Sequence, residues 1–147
     1  MKEKSKINTF VYYLVLCTWG AFNTLVGLVV ALFMLITGHK PKKWGPMIVF
    51  VVNKEWGWGV NFSFFMVITK DCEDSYHVKA HEYGHSIQNM IFGPLHLFIV
   101  DIPSTVRFWW RELMWALDED KDLPPYDAVW YEGTATSWGK EFADESW

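Results

Sequence analysis

From Phe10 to Ile36 the chain runs FVYYLVLCTWGAFNTLVGLVVALFMLI without a single charge. A helix needs about 20 apolar residues to cross the hydrocarbon core of a bilayer. The run therefore predicts one membrane-spanning helix with length left over for tilt. It is longer than the apolar core of a signal peptide, about 7–15 residues, and shows no clear cleavage site. A buried core helix is the alternative. Thr18, Asn23 and Thr24 are the polar positions, and Gly20 and Gly27 permit a bend or a close helix contact. Lys2, Lys4 and Lys6 precede the run and Lys40, Lys42 and Lys43 follow it, so positive charge sets no orientation.

After the break GHKPKKWGP, the segments MIVFVV and VNFSFFMVIT are short and β-prone, and the connector NKEWGWG reads as a loose hairpin turn. A helix is expected from Ser75 to Phe92, stopped by Gly93-Pro94. LHLFIVDIP is too short to span a bilayer and carries Asp101; it reads as a buried or an interfacial helix. RFWWRELMW mixes Trp with Arg, as a membrane-surface helix or a packed amphipathic one would. DEDKDLPP is a charged loop, and a last helix runs from about Tyr126 to Phe142. The pattern predicts a mainly α fold with a small β-hairpin (α+β), in two parts: an anchor over residues 1–40 and a second domain over 41–147.

Composition narrows the partners. Of 147 residues 18% are aromatic, ten of them Trp, and Trp and Tyr favour sites with one apolar and one wet end, membrane interfaces among them. The net charge of −4 leaves no basic patch for nucleic acid. Cys17 lies in the apolar run and Cys72 in a polar stretch, so no disulfide is expected between them.

Three of the five histidines, His77, His81 and His85, stand four apart in YHVKAHEYGHSIQNM. Positions i and i+4 share a helix face, so His81 and His85 can reach one metal ion. Glu82, beside the first ligand, is placed to act as general base. Ala80, Tyr83, Gly84, Ile87, Met90 and Ile91 recur at helical spacing, and Gly84 leaves room for another element to approach. A catalytic zinc takes three protein ligands. Glu132, in YDAVWYEGTATSWG, is the candidate for the third, set on a helix among small and apolar neighbours; the alternative for it is an ordinary exposed glutamate. Asp127 reads as a helix-start acid. His77 is a substrate-binding, supporting or merely solvated group, and His96 stays open. Asp101 either supports a ligand histidine or caps the next turn. Tyr83, Tyr126 and Tyr131 are equal candidates to donate to an oxyanion.

With HEYGH and the downstream Glu132, the chain resembles the zincin metallopeptidases, and among them the gluzincins, in which a small sheet precedes the HExxH helix and its edge strand aligns an extended peptide. HEYGHSIQNMIFGPLHLFIVDIPS followed by YEGTATSWG also resembles a family of small bacterial membrane-associated proteins carrying HExGHxxQ, GPLY…IPS and TExWAD…GG. The resemblance spans roughly residues 24 to 140. It implies a minimal zincin-like core, one Zn²⁺ ion, a peptide or protein substrate and a place in the bilayer of a bacterial inner membrane. The chain departs at Thr136, where both patterns carry an acid that orients a ligand histidine.

The expectation is thus a membrane-anchored zinc peptidase with Glu82 as base and His81, His85 and Glu132 as ligands. The alternative is a metal-binding or degenerate scaffold acting in binding or assembly. A structural zinc has no use for Glu82 and prefers four protein ligands.

Overall fold

The uncharged run does not form one helix. In the computed structural model, which describes residues 7–147 and so leaves Lys2, Lys4 and Lys6 outside the described residues, it divides into α1 (Thr9–Thr18) and α2 (Ala21–Ile36). The two are bent by 95°. Tertiary contacts account for the break. Trp19 packs over Gly93 and donates from its indole Nε1 to the Ile91 carbonyl at 3.2 Å. Gly20 lies so close to Asn89 that a Cβ would come within 2.9 Å of Nδ2. The Leu16 carbonyl freed by the bend accepts from Thr24 Oγ1 at 2.7 Å, so the mildly polar residues of the run satisfy the backbone at its corner. The expected single span is thereby corrected: at 1.5 Å per residue the two pieces reach about 15 and about 24 Å, short of the ~30 Å core. No single helix among the described residues is long and apolar enough to cross a membrane.

A mixed four-stranded sheet follows, with β1 (Lys42–Trp44), β2 (Met47–Val52), β3 (Gly59–Phe62) and β4 (Phe65–Thr69) in the order β1-β2-β4-β3. The expected hairpin between MIVFVV and the next run is not made. β2 pairs in parallel with β4, Ile48 facing Phe65 and Val52 facing Thr69. The hairpin lies inside VNFSFFMVIT, where β3 turns into β4 at Ser63 and Phe64. Ser63 takes a left-handed φ of 63° there, and its buried hydroxyl meets Thr24 Oγ1 at 2.7 Å. A second hairpin joins β1 to β2. β4 is buried at all five positions, as expected of a strand covered on both faces.

α3 (Tyr76–Phe92) begins at Ser75, whose hydroxyl accepts from the Val78 amide, and ends at Gly93 with φ 52°. A π-helical turn over Leu97–Asp101 leads into α4 (Ile102–Leu117), and a 3₁₀ turn at Tyr126–Ala128 leads into α5 (Trp130–Phe142). The architecture is α+β, mainly helical. The larger core joins Tyr12 and Leu16 of α1 to Met47, Val49 and Ile68 of the sheet and to Tyr83 and Ile87 of α3. Tyr12 ties α1 to α3 directly through a 2.5 Å contact with Ser86 Oγ. Cys17 is exposed and Cys72 buried, and both are free.

Candidate metal centre

α3 and α5 touch backbone to backbone, and two glycines make this possible. A Cβ on Gly84 would stand 1.9 Å from the Ala135 carbonyl oxygen, and one on Gly139 would stand 1.8 Å from that of Ala80. Gly84 thus has the role its position in the sequence suggested. On α5 the close approach falls at Ala135 and Gly139; Gly133 lies instead against the Asp127 carbonyl of the preceding 3₁₀ turn.

That approach brings Glu132, fully buried, onto the two imidazoles. Its Oε2 lies 3.1 Å from His81 Nε2 and 3.2 Å from His85 Nε2, and the two Nε2 atoms are 3.2 Å apart. Around a tetrahedral zinc with bonds of 2.0–2.1 Å, neighbouring donors stand about 3.3 Å apart. The triangle has the size such an ion requires, and His81, His85 and Glu132 are the group able to hold a metal among the described residues.

The protons of the site favour the same conclusion. Gln88 Nε2 donates to the Tyr131 carbonyl at 2.7 Å and to Thr134 Oγ1 at 2.6 Å. A carbonyl can only accept, so the amide orientation is fixed and Gln88 Oε1 faces His85 Nδ1 at 2.8 Å. His85 must therefore donate from Nδ1, which leaves Nε2 as a lone pair in the neutral ring. On His81, Nδ1 meets Thr136 Oγ1 at 2.9 Å and likewise turns Nε2 inward. The His85 lone pair and the Glu132 carboxylate then meet beside His81 Nε2, and a cation, either a proton or a metal, resolves their repulsion. Glu132 Oε1 is also buried and accepts no hydrogen bond of normal length among the described residues, with the Ser104 and Tyr126 hydroxyls near enough to act on the carboxylate. Two imidazoles and a carboxylate are a donor set that suits zinc.

The ionisable groups respond to this crowding. Burial alone would push the His85 pKa down, but the Glu132 and Glu82 carboxylates and Gln88 outweigh it, and the pKa is pushed up to about 9. Burial would raise Glu132; the bonds from His81 and His85 prevail and hold its carboxyl well below the usual range. Glu82, 5% exposed, is raised by burial, which outweighs the nearby histidines. On edge strand β3, Gly59 leaves the space Glu82 occupies: a Cβ there would come within 2.9 Å of Oε1.

Glu82 and both histidines line a cavity of about 910 Å³ bounded by β3, α2 and α4. Tyr126 lines it too, its ring centroid 6.3 Å from that of His81, and burial pushes its hydroxyl up to about 12. Tyr83 is instead in the core, and the Tyr131 hydroxyl donates to the Pro103 carbonyl. The tyrosines that the sequence left equal are thereby separated. Arg107 and Arg111 of α4 donate to carbonyls of Pro124, Pro125 and Tyr126, so they fasten the loop carrying Tyr126.

His77 is exposed at the cavity wall, and burial, Lys140 and His81 lower its pKa. Asp127 is exposed on the same wall. Asp101 supports neither ligand; with Asn23 it holds His96 in a separate cluster. Gln88 is the Q of the HExGHxxQ pattern, but the sequence assigned it no role. The signal lies in its spacing: a glutamine three residues after a ligand histidine, on the buried side of the same helix. Compared with family models, curated proteins and solved structures, the chain matches none of them.

Proposed function

We propose that the protein is a zinc-dependent peptidase seated at a membrane. The observation that carries this reading is the triangle of His81 Nε2, His85 Nε2 and Glu132 Oε2, with sides of 3.1–3.2 Å, opening on a cavity that also holds Glu82. Zinc held by these three residues would supply Lewis acidity, making water acidic near neutral pH and polarising a carbonyl.

The chain's own groups supply the rest. Glu82, with its pKa raised, is suited to take a proton from the attacking water and to return it to the leaving amine. Tyr126 keeps its hydroxyl proton at neutral pH and is placed to donate it as a hydrogen bond to a developing oxyanion. Gln88 holds the His85 imidazole in the ligating tautomer, and Thr136 steadies the His81 ring through its Nδ1. β3 is an edge of the sheet, and Gly59, Val60 and Asn61 line the cavity; an extended peptide laid along this edge would pass the site. The apolar faces of α1 and α2, with Phe10, Val29, Phe33 and Ile36 each more than 60% exposed, favour contact with lipid.

The test compares purified wild type with Glu82→Gln. Both are expected to bind one equivalent of zinc by elemental analysis, while cleavage of a quenched peptide mixture falls by about 10²–10⁴-fold in the variant. Loss of zinc on substitution would make Glu82 a ligand. Zinc binding with no cleavage by wild type would leave a binding scaffold.

A further inference from the structure

A second polar cluster stands in the wall of the same cavity. Asp101, at the end of the π-helical turn, receives a bond from Asn23 Nδ2 at 2.9 Å on one carboxylate oxygen. Its other oxygen lies 3.1 Å from His96 Nδ1. Asn23 is 6% exposed and His96 1% exposed, whereas the Asp101 side chain keeps 29% of its surface. A buried amide therefore fixes, beside a buried imidazole, a carboxylate whose remaining face borders the cavity. A carboxylate offers about four lone-pair positions, and the Asn23 amide, which also meets His96 Nδ1 at 2.9 Å, takes one of them.

No lysine or arginine pairs with it among the described residues. Arg111, on the same cavity, is engaged with the Pro124 carbonyl and the rings of Trp115 and Tyr126. Asn61 on β3 also borders the cavity, and its Oδ1 has no donor among the described residues. Much of the remaining wall is apolar, with Phe22, Val26, Trp58 and Phe108. A carboxylate set in such a wall is stabilised strongly by an opposite charge that arrives with a ligand. Asp101 is near enough to the catalytic base for its charge to act on Glu82.

We propose that Asp101, held by Asn23 beside His96, is a subsite for a cationic group of the substrate, an ammonium, carried next to an apolar segment. This rests on the reading of the cavity as the substrate cleft and adds what that cleft selects. The positive group comes from either a lysine side chain or a free amino terminus, and the probes distinguish the two.

The experiment measures binding apart from turnover. Zinc-loaded Glu82→Gln protein in detergent micelles is titrated by fluorescence anisotropy with labelled hexapeptides. These differ only in lysine against norleucine at one position, scanned along the peptide, and in a free against an acetylated amino terminus. One cationic probe is expected to bind about tenfold or more tighter than its neutral partner. Asp101→Asn in the same background should bring that ratio close to one, Asp101→Glu should keep part of it, and 0.5 M salt should reduce it in the parent. The position of the preferred charge identifies its source. Equal binding of charged and neutral probes by the parent overturns the proposal whether or not Asp101→Asn folds, as does an unchanged ratio in a folded Asp101→Asn. A charge preference in a protein that cleaves no peptide leaves the subsite standing and removes the hydrolase reading.

Discussion

Gln88 shows how much one side chain decides. Its amide is oriented by the Tyr131 carbonyl, and that orientation fixes which nitrogen of His85 carries the proton. Gln88→Ala is expected to weaken zinc binding by about 10–100-fold, as loss of a group that orients a metal ligand does, read by competition with a chromogenic chelator. His85 itself makes stability depend on pH. Its folded pKa of about 9 lies above the ordinary 6.5, so the metal-free fold binds the extra proton between these values. Its contribution is complete below about pH 6.5 and is lost as pH rises through about 9. The Tm of chelator-treated protein should fall across that window. Zinc requires the deprotonated ring, so the Tm gained on adding zinc should grow over the same window. Parallel calorimetric scans with and without zinc check both slopes; two flat profiles would mean that His85 carries no raised pKa.

At the scale of elements, the site exists because α3 and α5 lie backbone against backbone. Gly84→Ala would place a methyl carbon 1.9 Å from the Ala135 carbonyl oxygen, and no side-chain rotation relieves a clash with backbone. The helices must separate, at a cost of at least the 1–3 kcal/mol usual for overpacking. Because Glu132 rides on α5, zinc affinity should fall together with Tm, although position 84 touches no ligand atom. A variant that loses stability with unchanged zinc affinity would show that the triangle survives the separation. The same logic explains α4, whose Arg107 and Arg111 bind carbonyls of the loop before α5 and so hold Tyr126 over the cavity. The arginines of that basic, Trp-rich segment pack against the loop, Arg111 being its buried residue, while Val106, Trp109 and Leu113 stay exposed.

For the whole molecule, the exposed apolar surface is the property to test. α1 and α2 carry it without one charge, and Val106, Trp109, Leu113 and Leu117 of α4 add to it. Such a surface favours a lipid interface over water. The protein is expected to remain with membranes through a carbonate wash and to need detergent for release. Replacing Val29, Phe33 and Ile36 together by serine should move a large share of it to the soluble fraction while one zinc equivalent is kept. Wild type that is monodisperse without detergent would show that the apolar face is covered some other way.

The sequence by itself determined the pieces whose physics is local. The helix over residues 76–92, its Ser75 cap and its Gly93 stop follow from capping and backbone chemistry, and His81, Glu82 and His85 follow from helical periodicity. Coordination number and the cost of burying a lone carboxylate point to Glu132, which the fold brings to the two histidines. Tertiary structure decided what depends on distant partners. An uncharged run of 27 residues, Phe10–Ile36, has the composition of a span, and only contacts of Trp19 with Gly93 and Gly20 with Asn89 turn it through 95°. Two β-prone runs cannot announce that they will pair in parallel, because that register is set by what packs on the sheet. In the sequence the three tyrosines are equal oxyanion candidates and Asp101 is either a support for a ligand histidine or a cap, since a side chain's role here depends on which wall of the cavity it reaches, and that is set by the packing of the helices.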